Sequence, residues 1–192
     1  MYRSFREVYE AAQACQACAL AKTRKSVVFG EGSAKSGLML IGEGPGERED
    51  CTGRPFVGPA GQLLDKMIAA IGLARQDVYL ANIVKCRPPY NADPRPEYAQ
   101  ACIGYLREQV RYIRPRVIVL LGRIACQNLL GEKRGITRLH GQVFWRKGFA
   151  LIPTYHPSAL LRNPQLKRDA WEDFKIIKRV LEGEEHEPFH PV

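Results

Sequence analysis

Short apolar runs alternate with segments of helical period along most of this chain. That alternation limits the fold more than any single residue does. Leu38-Met39-Leu40-Ile41-Gly42 is an unbroken apolar run closed by glycine, the pattern of a strand buried on both faces. Val78 to Val84 and Arg116 to Leu121 repeat it. Between these runs, Gln62 to Ile71 predicts a helix capped by Gly72. Arg95-Pro96-Glu97 opens a longer helix reaching about Ile113, with proline in the first turn, where its missing N–H costs nothing. Arg123 to Leu130 predicts a short helix. Val143 to Trp145 and Phe149 to Ile152 flank Lys147-Gly148 and predict a hairpin whose second arm is the last strand. Leu166, Ala170, Phe174, Ile177 and Leu181 share one helical face and mark a final helix packed on the sheet.

Strands that alternate with helices form a mostly parallel sheet covered on both faces. The expectation is therefore an α/β protein: a single domain with a central, mostly parallel four-stranded sheet flanked by helices. A length of 192 residues suits one domain, with a core over about residues 4–182 and a charged, proline-containing tail, 183–192, that frays. In such folds ligands bind beyond the carboxyl ends of the strands. Gly42-Glu43, Asn82 and Tyr155-His156 all fall at or just past strand ends, so three loops are expected to converge on one pocket.

No run approaches the roughly 20 apolar residues of a membrane span. The N-terminal MYRSFREVYEAAQ is charged and amphipathic, unlike a signal peptide, so the chain is expected to stay in the cytoplasm without membrane contact. The formal net charge is +9. Excess positive charge favours polyanions, nucleic acid above all, because each phosphate contact releases condensed counterions; a solubilising surface is the plainer alternative.

Six cysteines in a reducing compartment read as metal ligands or buried thiols before disulfides. Cys15 and Cys18 form a C-x-x-C, and Cys86 and Cys102 lie far downstream. Four such thiolates complete a sulfur set that suits zinc and an iron–sulfur cluster equally. Cys51 is unassigned, and Cys126, on an apolar helix, reads as core.

The loop Gly42-Glu43-Gly44-Pro45-Gly46-Glu47-Arg48-Glu49-Asp50 follows the first strand directly, and its glycines let backbone approach a ligand closely. It lacks both the G-x-G-x-x-G fingerprint and the lysine of a phosphate-binding loop, which argues against a nucleotide. Phe56, between glycines in Thr52 to Gly61, suits a platform for a stacked base. Asn82, at a strand end, carries both donor and acceptor, which suits a pyrimidine edge, although asparagine also caps turns. In His156 to Pro164, a histidine is followed by Pro-Ser, two leucines and an arginine, a grouping that suits a wedge into DNA with its phosphate anchors.

Taken together and in this order, GEGPGERED, TGRPFVG, NIVKCRPP and HPSALLRNP resemble the motifs of family 4 uracil-DNA glycosylases, with the similarity running from about Cys15 to Phe174. The resemblance implies a DNA repair enzyme that flips uracil out of single- or double-stranded DNA and hydrolyses the N-glycosidic bond, leaving an abasic site. It implies a [4Fe–4S] cluster on Cys15, Cys18, Cys86 and Cys102. In the uracil pocket it places Gly42, Gly44, Glu47, Phe56 and Asn82, with Phe56 stacking on the base, Asn82 reading its Watson–Crick edge and Glu47 filling the space of a thymine methyl. Glu43, Asn91 and His156 are the implied catalytic residues, the first two positioning water and His156 lying against the uracil carbonyl. Ser158, Leu160, Leu161 and Arg162 are the implied DNA contacts, with Leu160 preferred as the wedge. The classical glycosylases place an aspartate and a tyrosine where this chain has Gly44 and Gly46, so the water activator and the thymine filter are not carried over.

No lysine falls at a matched pocket position, which implies a glycosylase without lyase chemistry. The protein is expected to act as a monomer. The alternative is a catalytically silent iron–sulfur DNA-binding or polymerase-associated module of this fold, which has no need of Asn82, Asn91 and His156 together. A related branch ends as a covalent protein–DNA adduct through a histidine in an inserted loop; the corresponding stretch here, Pro88 to Pro96, holds none.

Overall fold

The computed structural model describes residues 2–146 and 148–184. The elements run α1 (Phe5–Gln13), β1 (Glu31–Gly32), β2 (Leu38–Gly42), α2 (Glu47–Thr52), α3 (Pro59–Ala70), β3 (Tyr79–Asn82), α4 (Pro96–Ile113) and β4 (Val117–Leu121). They continue with α5 (Arg123–Leu130), α6 (Ile136–Leu139), β5 (Phe144–Arg146), β6 (Phe149–Thr154), α7 (Pro157–Arg162) and α8 (Lys167–Glu182).

One sheet has the order β1-β3-β2-β4-β6-β5. Its four inner strands are parallel, in register from Met39 opposite Tyr79, Leu38 opposite Val117, and Val117 opposite Ala150. The expected parallel four-stranded sheet is thus the centre of a six-stranded one. The short β1 pairs antiparallel on one edge and β5 closes the other as the first arm of the expected hairpin. Two residues of β1, Glu31-Gly32, carry no alternating pattern from which a strand is read. Lys147, expected between the two arms of the hairpin, and the tail beyond Glu184 lie outside the described residues.

Alternation along the inner strands builds two cores. Met39, Ile41, Tyr79, Ala81, Ile118 and Leu120 face α1, α4 and α5. Leu38, Leu40, Leu80, Val117, Val119 and Ile152 face α3 and α8. Strands covered on both sides read as continuous apolar runs, which is why they were legible in the sequence. From β2 the chain steps outward to β3, then crosses back to β4, so the strand order reverses between β2 and β4. A crevice at such a point is where ligands bind in open α/β sheets.

One helix begins earlier than the sequence suggested, and four others were not anticipated. α3 starts at Pro59 rather than Gln62; α2, α6 and α7 are too short for a helical period to stand out, and α1 lies in the amphipathic N-terminal segment, where the sequence reading assigns no helix. Among the described residues no helix is long and apolar enough to cross a membrane.

Candidate active site

A cleft of about 670 Å³ opens at the reversal point, lined by the loops after β2, β3, β4 and β6 and by the start of α3. Of the residues singled out in the sequence, Glu43, Gly44, Glu47, Phe56, Asn82, Asn91, His156, Ser158 and Arg162 line it. The three strand-end loops therefore converge as expected.

Asn82 ends β3 and is 2% exposed. Its Oδ1 is the one buried side-chain nitrogen or oxygen among the described residues with no hydrogen-bond partner. An unpaired buried acceptor costs about 1–3 kcal/mol, so in a cleft it marks a place for a ligand's donor. Gly42 is part of the same construction. A Cβ there would lie 2.6 Å from Asn82 Oδ1 and 2.7 Å from Phe56 Cζ, so only glycine lets ring and carboxamide stand together.

Phe56 is held in the left-handed region, φ 51. That conformation is unfavourable for an aromatic residue, and the surroundings impose it. Arg75 donates to the main-chain oxygens of Pro55 and, at 3.0 Å, of Phe56. Glu49 Oε1 accepts from the amides of Val57 and Gly58, both at 2.8 Å. Arg75 is itself held by Glu31 and Asp65, each at 3.0 Å. The ring is thus a pre-set platform. Neither Glu49 nor Arg75 was singled out in the sequence, because what they clamp is main chain, which leaves no residue pattern.

His156 precedes α7 and caps it: its Nδ1 accepts from the Ser158 amide at 3.2 Å and lies 2.8 Å from Ser158 Oγ. A nitrogen that accepts an amide proton carries none, so the ring proton sits on Nε2. Burial, with Arg162 nearby, pulls its pKa down to about 4, leaving a neutral ring. Its centroid lies 6.3 Å from that of Phe56 with the planes tilted by 34°. Beneath it, Thr154 Oγ1 donates to buried Asp173 at 2.7 Å, anchoring the end of β6. At Gly122, φ 86, a Cβ would meet His156 Cβ at 2.9 Å.

Glu43 follows β2. Burial first, then the Asp93 carboxylate beside it, push its pKa up to about 7. Asp93 also lines the cleft and is bonded by Arg123. It was missed in the sequence, where it is one polar residue in a proline-rich loop. Asn91 is exposed on the lip, its Oδ1 accepting from Arg87 Nε at 2.7 Å.

Two expectations are corrected. Glu47 stands at the rim with its side chain 69% exposed and 3.8 Å from Arg87, so it does not fill the inside of the pocket; two residues on, Glu49 turns inward to hold the amides of Val57 and Gly58. Leu160 is 1% exposed, packed with Tyr155 and Ala170, so it has no surface to offer DNA. Leu161, 45% exposed, is the leucine that projects. On a helix successive side chains diverge by about 100°, so one of an adjacent pair goes to the core.

On the far side of β3, Cys15, Cys18, Cys86 and Cys102 line one small apolar cavity with Ala12, Ala17 and Tyr105. All are free thiols. Among the described residues no group of three or more His, Cys, Asp or Glu side chains is placed to hold a metal ion, so the four surround a space rather than close on a point. Arg24 Nη1 points at Cys86 Sγ (3.4 Å) and the Lys85 amide at Cys102 Sγ (3.3 Å), donors suited to thiolate sulfur. Burial first, and then the neighbouring cysteines, push the thiols of Cys86 and Cys102 up, Cys102 to about 11. Cys126 is buried core, as expected, and Cys51 is exposed.

Residues 29–175 match the family model described as the uracil DNA glycosylase superfamily. The chain is 44% identical over 182 residues to the type-4 uracil-DNA glycosylase of Archaeoglobus fulgidus, covering 91% of this chain and 92% of that one. It is 45% identical over 181 residues to the type-4 uracil-DNA glycosylase of Thermotoga maritima, covering 92% and 94%. It is 44% identical over 176 residues to that of Saccharolobus solfataricus, covering 87% and 82%.

Proposed function

The chain belongs to the uracil DNA glycosylase superfamily and, within it, to the type-4 uracil-DNA glycosylases, and from that premise we infer that it releases uracil from DNA by hydrolysing the N-glycosidic bond. The observation that carries the reading is the unpaired Oδ1 of Asn82 at the floor of a cleft walled by Phe56 and His156. Uracil offers an N3–H to that acceptor; cytosine has a lone pair at N3 and would meet it with repulsion. A base within a duplex cannot reach this floor, so the nucleotide must be flipped out.

As the C1′–N1 bond breaks, its electron pair passes to the base and spreads onto the uracil oxygens. The Nε2–H of neutral His156 is the donor for that growing charge, an effect of about 3–4 kcal/mol in comparable sites. Water adds to C1′, and Glu43 is the group to take its proton, with Asp93 and Asn91 beside it. A carboxyl with a pKa near 7 is matched to a base working at neutral pH. Among the described residues no lysine lines the cleft, and Lys85 is directed away from it into the core, in keeping with hydrolysis rather than a lyase step.

Cys15, Cys18, Cys86 and Cys102 would hold a [4Fe–4S] cluster, which when bound supplies a cross-link between the segment after α1, the loop after β3 and α4. The cavity shared by four thiols and the N–H groups aimed at two of them support a thiolate-bound centre there, and the similarity to type-4 glycosylases favours the cluster over zinc. In this reading the protein is one catalytic domain, active as a monomer in the cytoplasm with uracil-containing DNA as its partner. The silent-module alternative is not favoured, because the matched relatives are glycosylases over nearly their whole length. Incubation with a uracil-containing oligonucleotide should yield free uracil, an abasic strand and unmodified protein. DNA bound without uracil release, or a protein–DNA adduct, would overturn it.

A further inference from the structure

Four large apolar side chains stand in solvent among the described residues, and Tyr90 is far the most exposed, at 98% against 42–47% for the others. It lies at the tip of the loop after β3, in the left-handed region with φ 57 and ψ 20, and Asn91 follows at φ 53. Asparagine tolerates that region; a tyrosine there is strained by about 1–2 kcal/mol. Phe56 is equally strained but is clamped on both sides, whereas the ring of Tyr90 packs against nothing that would offset the strain. A residue that folding disfavours on both counts points to a contact made outside the chain.

The loop's position says which contact. Pro88, Asn91, Ala92 and Asp93 line the cleft, so Tyr90 stands on its lip just outside the cavity. Arg87 and Arg95 flank it in sequence, and the exposed Arg162 of α7 lines the same cleft. We propose that Tyr90 stacks on a base of the DNA strand threading the cleft, next to the nucleotide being flipped. This rests on the uracil-DNA reading above. Extruding one nucleotide uncovers the π-faces of its neighbours. An exposed ring on the lip covers one of them whatever the base, since stacking tolerates every sequence. Arg87 and Arg95 are paired with Glu47 and Glu97, so it is Arg162 on the same cleft, with the chain's net charge of +9, that makes a nucleic-acid strand the favoured occupant of this lip.

The test uses intact protein and a labelled oligonucleotide carrying a tetrahydrofuran abasic analogue, which binds without being cut. Tyr90→Gly should weaken binding about 5- to 150-fold, the range for one lost stacked base at 1.36 kcal/mol per tenfold. The same variant should melt no lower than the parent, because glycine relieves the left-handed strain. Tyr90→Phe should bind within about twofold of the parent, and the slope of log Kd against log salt should match the parent in both variants, since no phosphate contact is removed. Undiminished affinity in Tyr90→Gly would overturn the proposal, as would a lower melting temperature, a changed salt slope, or loss of binding in Tyr90→Phe. Parental protein that releases uracil while Tyr90→Gly binds normally sinks only this proposal. Parental protein that binds through Tyr90 but releases no uracil sinks only the glycosylase reading.

Discussion

Lys85 Nζ donates a 2.9 Å hydrogen bond to the main-chain oxygen of Asn82, the residue whose own side-chain oxygen is left without a partner. The same ammonium bonds Gln109 Oε1 at 2.6 Å, while the Lys85 amide points at Cys102 Sγ. Gln109 in turn donates to Phe29 O and to the Tyr79 hydroxyl. A fully buried lysine thus ties the floor of the cleft to the helix that carries a cysteine of the second site. Lys85→Met keeps the length but leaves two buried acceptors unpaired, each worth about 1–3 kcal/mol. The variant should melt several degrees lower and excise uracil more slowly, because Asn82 loses its anchor. An unchanged melting temperature would show that the network is not structural.

His156 serves two purposes through two nitrogens, and substitution separates them. His156→Ala should slow single-turnover excision about 10²–10³-fold, the usual consequence of losing one transition-state donor. Loss of the cap should cost about 0.5–2 kcal/mol of stability. DNA affinity should change little, since the phosphate contacts are proposed for Arg162 rather than for His156. A variant that melts early yet excises at the parental rate below its transition would make His156 a cap alone.

The pH dependence follows from Glu43. Its carboxyl holds a proton up to about pH 7, well above the ordinary 4.5. Raising the pH through 7 therefore generates the base, and single-turnover rates should climb on an acid limb centred there. The same elevation makes folding stability fall between roughly 4.5 and 7, where the native state binds the extra proton. Asp93→Asn removes one of the causes, so the limb should move to lower pH; burial, the larger cause, keeps it above the ordinary value. Arg123 and Arg162, which face Glu43, already act in that downward direction. His156, near 4, should add no inflection in the neutral range. A limb unmoved in Asp93→Asn would remove Asp93 from the pair.

Leu161 and Leu160 should respond oppositely. Leu161→Ala should slow excision from duplex more than from single-stranded DNA, because only a duplex leaves a gap for the wedge to fill. Leu160→Ala should cost about 2–5 kcal/mol of stability, with no preference between strands. Equal effects of Leu161→Ala on both substrates would end the wedge assignment.

Protein purified without oxygen should be brown and contain iron and sulfide in about equal amounts, near four of each per chain. Stripping the cluster should lower the melting temperature, because it removes a link between three segments of chain. Stoichiometric zinc without sulfide would refute the assignment.

The amino-acid sequence alone determined the four parallel strands at the centre of the sheet and four of the helices around it, α3, α4, α5 and α8. Strands such as Leu38–Gly42 and Val117–Leu121 are buried on both faces and carry that burial as unbroken apolar runs. It also determined which loops meet, since Glu43, Asn82 and His156 each follow a strand of one parallel sheet and must emerge at the same end. The tertiary structure decided the rest. Whether Leu160 or Leu161 faces out depends on how α7 docks against Tyr155 and Ala170, which an adjacent pair of leucines does not encode. Asp93 gains meaning only beside Glu43, Glu49 through the amides it holds, and Lys85 through the seal around it. Hydrophobic periodicity is local and is written along the chain, whereas a perturbed pKa, a clamped backbone or an unpaired acceptor arises from groups distant in sequence and close in space.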